Sequence, residues 1–374
     1  MNIERNQDLV DASTDLELLY TIPKFPAFLG CVSTDPAQDI VADMNFYIGK
    51  NTGMVQLNPI LPLDVVYQTD HNQGATGTTW LHHHSEFAKF IARHSPKQVF
   101  EIGGSHGLLS QLYLENTSAD WYIIEPNPTV TNSRAKIIRG WFRDANDIPS
   151  GTDMIVHSHV LEHIYDPAEF FTSLNTVAPG TRLCFSIPNL QLHLEKKFSN
   201  IFHFEHTYLC SEPFVNYWLN CYGFDIVQTH LHEDHSIFYS AIRNTNPIDL
   251  TLPPDCYDEN SQLMQSYFDY YEHSTKEINA QLENLTEPVY LFGAHVFSQF
   301  QLAFGLDRSK IVSLLDNSKQ KQGQRLYGTD LFVQSPQILA DIKNPVVILR
   351  AGAYSAEIKQ DIISNINPNT IFIE

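Results

Sequence analysis

The stretch Val99-Phe-Glu-Ile-Gly-Gly-Ser-His-Gly-Leu-Leu-Ser110 decides how this chain is read. Gln98 to Ile102 is a short apolar run that ends in a turn signal, which predicts a buried strand. In the turn from Gly103 to Gly107, the two glycines let the backbone bend sharply and come close to a ligand. Gly104 and Ser105 lie inside that turn. Leu108 to Leu114 opens a helix, whose first turn offers unpaired N–H groups to polar ligand atoms. Glu101, at the strand's end, can meet the ammonium of an amino-acid ligand. Taken alone, the stretch is a βα connection that any doubly wound fold would use.

Working outward, strand and helix signals alternate. Trp121 to Ile124 is a second strand and ends at Glu125, where an acid can accept both hydroxyls of a ribose. Met154 to His157 and Leu183 to Ile187 follow, and Phe224 to Gln228 with Ser236 to Ile242 reads as a terminal hairpin. The alternation implies an α/β fold with a parallel sheet covered by helices on both faces. Upstream, Trp80, Leu81, Phe87, Phe90 and Ile91 recur with helical spacing. Ile22 to Phe28, Met44 to Ile48 and Met54 to Leu61 are short apolar runs broken by Pro and Gly, which suggests a small β-rich subdomain. Residues 1 to 15 read as a loose polar tail. Asn244 to Pro254, with three prolines, reads as a linker, and Asn260 to Leu285 as one long helix. A second alternation (Val289 to Phe292, Ile311 to Leu315, Val346 to Leu349, Thr370 to Ile373) predicts a smaller C-terminal α/β domain with its own first turn, Gly293-Ala-His295. The expected organisation is 1–78, 79–245, 246–286 and 287–374.

Composition narrows the function. Of 374 residues, 43% are hydrophobic and 12% aromatic, ample for buried cores. With 23 Lys plus Arg against 43 Asp plus Glu, the net charge of −20 repels phosphate backbones, so no nucleic-acid partner is expected. No apolar run reaches a membrane span. Met1 to Asp15 lacks the apolar block of a signal peptide, so a cytoplasmic location is expected. The five cysteines form no CxxC pair and are odd in number, which indicates neither a disulfide framework nor a cysteine zinc site.

Glu101-x-Gly-x-x-x-Gly107, the distal acid Glu125, and a strand followed by Val160-Leu-Glu-His-Ile164 together resemble the class I methyltransferases that use S-adenosylmethionine. The likeness covers roughly residues 95 to 245. It implies that Gly103, Gly104, Ser105 and Gly107 hold the methionine part of that cofactor and that Glu125 holds the ribose. Trp141 or Phe142 would flank the adenine, and His159 would line the sulfonium side. Glu162 and His163 would brace the loop.

A narrower likeness extends over most of the chain. Gly53-Met-Val-Gln-Leu57, Ser186-Ile-Pro-Asn189, Phe202-His-Phe-Glu-His-Thr-Tyr208, Leu291-Phe-Gly-Ala-His295 and Leu315-Asp-Asn-Ser318 resemble segments of the deoxysugar C-methyltransferases, which act on nucleotide-linked 4-keto sugars. That resemblance implies a small-molecule partner, a nucleotide-activated sugar, and a catalytic pair Glu205-His206. The imidazole of His206 would remove the proton beside the ketone, since its pKa lies near working pH. Tyr208, Asn189, His71 and His295 are the expected substrate contacts. The chain departs from the family at His203, a third catalytic candidate that stands where the family has a tyrosine, and at Gly49 and Thr52, where a zinc-binding cysteine pair is usual, so no metal is expected. O-methylation of a hydroxyl and a non-catalytic binding role are the alternatives. Neither glycine turn fits the GxGxxG of nicotinamide dehydrogenases. His82, His83 and His84 point about 100° apart on a helix and cannot converge on one ion, so a polar helix face is expected there. His230, His232 and His235, in the hairpin, are expected to be solvated.

Overall fold

The computed structural model describes residues 2–67, 78–130, 134–244 and 255–374. His71 and nearly all of the expected linker lie outside the described residues.

The central sheet has seven strands: β1 (Gln98–Ile102), β2 (Asp120–Glu125), β3 (Lys136–Arg139), β4 (Met154–Ser158), β5 (Arg182–Pro188), β6 (Phe224–His232) and β7 (Ser236–Arg243). Their order is β6-β7-β5-β4-β1-β2-β3. Strands β1 to β5 run parallel, and β7 returns antiparallel between β5 and β6. From β1 the chain winds first toward β2 and β3, then crosses to β4 on the other side. The carboxyl ends of β1 and β4 therefore flank the switch point of the topology, where diverging connections leave a crevice.

Residue alternation explains why the sheet is covered on both faces. Val99 of β1 packs with Phe87, Ile91, Leu109, Trp121 and Val156 under the helices Thr78–Ala92 and Leu108–Leu114. Its neighbour Phe100 faces the opposite way, into a larger core with Ile124, Ile155, Phe185 and Phe171. β3 was not expected from the sequence. It is an edge strand, with Lys136, Ile137 and Arg139 exposed, and so carries no apolar run to detect.

The N-terminal strands Leu16–Pro26, Val41–Gly49 and Val55–Leu57 form an antiparallel sheet, and its buried Phe25, Met44, Phe46 and Ile48 join the same large core. The first residues are not a loose tail. Ile3 bridges to Ile60, and the buried Arg5 donates from Nη1 to the Thr207 carbonyl (3.0 Å) and from Nη2 to the Tyr165 carbonyl (2.7 Å). The polar residues that suggested disorder in fact satisfy buried carbonyls. Where a zinc-binding pair would stand, the buried Asp8 carboxylate accepts from the Thr52 hydroxyl at 2.6 Å and fills the space beside Gly49.

The helix Tyr257–Glu283 leads to a parallel five-stranded sheet: Val333–Gln334, Ile311–Leu315, Val289–Phe292, Val346–Leu349 and Ile371–Ile373, in that spatial order. Strand pairing and a buried ion pair help tie it to the N-terminal region. Cys31–Val32 pairs with Arg325–Leu326, and Arg325 holds Asp39 through two hydrogen bonds of 2.6 and 2.7 Å, both side chains buried. Among the described residues, no helix is long and apolar enough to cross a membrane.

Candidate active site

The crevice at the switch point has two lobes, of about 600 and 870 Å³, which share Gly103, His159 and His163 as lining. The glycine turn forms the common wall. Gly103 has φ +74°, and a Cβ there would meet Val160 Cγ2 at 2.7 Å; Gly107 has φ +71° and is as tightly held against Val130. Any side chain at either position would be strained and would push the turn off its neighbour.

The smaller lobe is lined by Glu125, Trp141 and Phe142. Glu125 ends β2 and ties the turn down: the Ser105 N–H donates to Oε2 (3.1 Å) and the Asn127 N–H to Oε1 (3.0 Å). Each carboxylate oxygen accepts two hydrogen bonds, so capacity is left for a pair of vicinal hydroxyls. Trp141 is half exposed and meets Tyr67 edge-on at 5.9 Å, leaving an aromatic surface beside the acid. The donor set and shape suit an adenosine.

Glu101 lines the larger lobe together with Gly104 and Ser105. Trp121 Nε1 donates to its Oε2 at 2.7 Å, and burial pushes its carboxyl up to about 7. A cationic ammonium beside it would draw the group back to the ionised form. His159 lines both lobes. It sits at φ +52°, a strained conformation for a non-glycine residue of the kind found at functional sites. Its ring meets Trp80 edge-on at 4.9 Å, and burial among other imidazoles holds it neutral. A neutral ring can lie beside a sulfonium without repulsion.

The histidine triplet departs from expectation. His83 is fully buried, and with His159 and His235 it surrounds the Ser236 hydroxyl at 3.3, 2.8 and 2.6 Å. A hydroxyl donates once and accepts twice, so one serine can satisfy all three rings. His232 is buried as well, because the helix Thr78–Ala92 packs over the hairpin. His230 is exposed, as expected, whereas His235 is half-buried at the lobe's wall. One ring from the triplet thus meets rings from two other elements, which periodicity along one helix cannot foresee.

The floor of the larger lobe is the tight turn Phe202 to Tyr208. The His206 N–H donates to the His203 carbonyl (3.0 Å), the Glu205 N–H donates to His203 Nδ1 (3.3 Å), and the two imidazoles lie 4.0 Å apart. His206 Nδ1 meets the Ile201 carbonyl at 2.9 Å, which fixes the proton on Nδ1 and the lone pair on Nε2. Burial pulls this imidazole down to about 4, so it is neutral near pH 7. Glu205 Oε2 lies 3.8 Å from His163 Nδ1, and His163 Nδ1 is 2.8 Å from the Tyr67 hydroxyl. Glu162 is fully buried at the lobe's edge. Among the described residues neither of its oxygens has a hydrogen-bond partner, His159 Nδ1 lies 3.4 Å from Oε1, and burial pushes its carboxyl up to about 8.

The structure brings His203, Glu205, His206 and His295 together in the larger lobe. It does not bring Tyr208 or Asn189 there. Tyr208 is fully buried and its hydroxyl donates to the Leu161 carbonyl at 2.6 Å, bracing the loop that carries Glu162. Asn189 caps the helix Leu190–Glu195 by accepting from the Leu192 N–H. Sequence reasoning missed Trp80 and Tyr67 as lining, since each reads as an ordinary apolar position. Glu162 was visible only as a loop brace.

Residues 79–229 match the family model described as a methyltransferase domain. No curated protein matches the chain. Among solved structures, magnesium protoporphyrin IX methyltransferase from Synechocystis PCC 6803, with S-adenosylhomocysteine bound, is 16% identical, over 46% of this chain and 90% of that one (TM-score 0.35). An O-methyltransferase family protein from Burkholderia thailandensis is 14% identical, over 44% and 56% (TM-score 0.36). Mitomycin 7-O-methyltransferase is 18% identical, over 45% and 55% (TM-score 0.38). The glycine turn, Glu125, His159 and the Glu205-His206 turn all fall within residues 79–229, the part of this chain that matches the methyltransferase domain.

Proposed function

We propose that this chain is a cytoplasmic S-adenosylmethionine-dependent methyltransferase that methylates a carbon beside the ketone of a nucleotide-linked sugar, with the Glu205-His206 pair as base. One observation carries the reading: a lobe suited to adenosine and a lobe floored by the neutral imidazole of His206 share one wall, at Gly103, His159 and His163. The cofactor, when bound, supplies an electrophilic methyl group on a sulfonium. Glu125, the turn from Gly103 to Gly107, and Trp141 with Phe142 would hold it.

The rest follows from the chain's own groups. His206 presents Nε2 as its basic atom, because Nδ1 is engaged by the Ile201 carbonyl. That nitrogen takes the proton from the carbon beside the ketone, and Glu205 stabilises the resulting charge. Alignment of acceptor and methyl supplies much of the remaining rate. His295, Val296, Phe297 and Tyr354 close the larger lobe from the C-terminal domain, and the rings of His295, Phe297 and Tyr354 suit a nucleotide base. The free cysteines, four of them buried, suit a reducing compartment.

The test is solvent deuterium exchange into a nucleoside-diphosphate 4-keto sugar, followed by NMR. Exchange beside the ketone with the wild type, and none with His206→Asn, is the expected result. Methyl transfer to a hydroxyl without any exchange would replace this reading with O-methylation.

A further inference from the structure

Glu162 poses a problem that the proton-transfer reading leaves unsolved. Its carboxyl is fully buried, has no hydrogen-bond partner among the described residues and lies 3.4 Å from His159 Nδ1, so it ionises only where a positive charge compensates it. It lies beside two imidazoles, each with one ring nitrogen engaged. His206 is held through Nδ1 by the Ile201 carbonyl, and His163 Nδ1 meets the Tyr67 hydroxyl. An outer contact on one ring nitrogen, turning the other inward, is how proteins aim histidines at metals. The ligand atoms of Glu162, His163 and His206 all lie within 4.8 Å of one another. Metal–ligand bonds of about 2.0–2.2 Å would draw them closer by small side-chain rotations.

We propose that Glu162, His163 and His206 bind one divalent first-row transition cation, which holds an oxygen atom of the methyl acceptor at an open coordination position. Two imidazoles and a carboxylate suit zinc or iron(II) better than magnesium or calcium, which prefer all-oxygen sites. The inference rests on the reading that the acceptor enters the larger lobe. With the cation seated, His206 Nε2 is a ligand, and the proton acceptor of the pair becomes Glu205. The C–H bond beside the ketone breaks, its proton passes to the Glu205 carboxylate, and its electron pair forms an enolate whose oxygen the cation holds. Two other groupings are weaker candidates. His83, His159 and His235 are already satisfied by Ser236, and His82, His232 and Glu233 are mostly exposed.

The test is titration of the chelator-stripped full chain with Co²⁺, read by its visible d–d absorption. The expected result is one equivalent bound by the wild type, with affinity reduced at least tenfold in both Glu162→Gln and His163→Asn. No cobalt binding by the wild type up to millimolar concentration would overturn the proposal. So would binding unchanged in both variants, or binding lost in His235→Asn instead. Calorimetry with S-adenosylhomocysteine on the same preparations separates this inference from the reading beneath it. A protein that takes cobalt but not S-adenosylhomocysteine keeps the metal site and loses the methyltransferase reading. Variants that keep S-adenosylhomocysteine affinity while losing cobalt are folded and support the site.

Discussion

The central sheet and the C-terminal sheet repeat one device with different outcomes. In each, a strand ends in a glycine at positive φ, a helix follows, and the neighbouring parallel strand ends at or just before an acid that accepts a backbone N–H from the turn. In the central sheet the acid is Glu125, bonded to the Ser105 N–H, and a lobe opens beside it. In the C-terminal sheet it is Asp316, which accepts from the Ala294 N–H at 3.0 Å. There the Lys321 ammonium also bonds Asp316 Oδ2 at 3.2 Å, and the Ser318 N–H takes Oδ1 at 2.9 Å. One carboxylate lines a ligand-sized space and the other is neutralised by its own chain. Topology provides the place for a site; the groups that meet the acid decide whether it remains one.

The largest effect is expected where the C-terminal sheet is latched to the N-terminal region. Arg325→Met leaves the buried Asp39 carboxylate without its cation and should cost about 3–5 kcal/mol, measured by urea denaturation. S-adenosylhomocysteine affinity should persist, since neither residue lines the lobes. Its loss along with stability would mean that the two sheets act as a single unit.

A smaller effect separates the sheets by pH. His157 on β4 is fully buried, stacks on Phe185 at 4.7 Å, and has no hydrogen-bond partner on either nitrogen among the described residues. Burial pulls its pKa from 6.5 down to about 3. The strand in the matching position of the C-terminal sheet, Val346–Leu349, is wholly apolar. Between pH 6.5 and 3 the unfolded chain binds a proton at His157 that the folded chain does not, so stability falls as pH falls. His157→Phe should remove that dependence, gaining about 2 kcal/mol relative to wild type at pH 5. Thermal unfolding at pH 7 and pH 5 measures it, and an equal difference at both would refute the assignment.

The smallest effect bears directly on the two acids. Glu125→Ala should weaken S-adenosylhomocysteine at least tenfold, about 1.4 kcal/mol, whereas Asp316→Ala should leave that affinity unchanged. Calorimetry reads both. Equal weakening by the two variants would break the comparison.

Apolar runs made most of both sheets legible: β1, β2, β4, β5, the hairpin and four C-terminal strands are each a short hydrophobic run between turn residues. β3 carries no such run because an edge strand buries little. The glycine turn and Glu125 were legible for a related reason, since backbone geometry and a carboxylate at a strand end are local features. Arg5, His83 and Glu162 were not. Arg5 reads as part of a polar tail until the Thr207 and Tyr165 carbonyls are seen to need donors.

The sequence by itself determined the alternation, the parallel sheet and the turn that marks its crevice, because strand period and glycine freedom act over a few residues. Only the tertiary structure decided which polar groups are buried and what they face. Lys321 seals one acid while Glu125 borders an open lobe, and Glu162 lies buried near His163 and His206, the first of which is held by Tyr67 from a distant segment. Burial and electrostatic pairing depend on residues brought together from distant parts of the chain, and no local pattern encodes them.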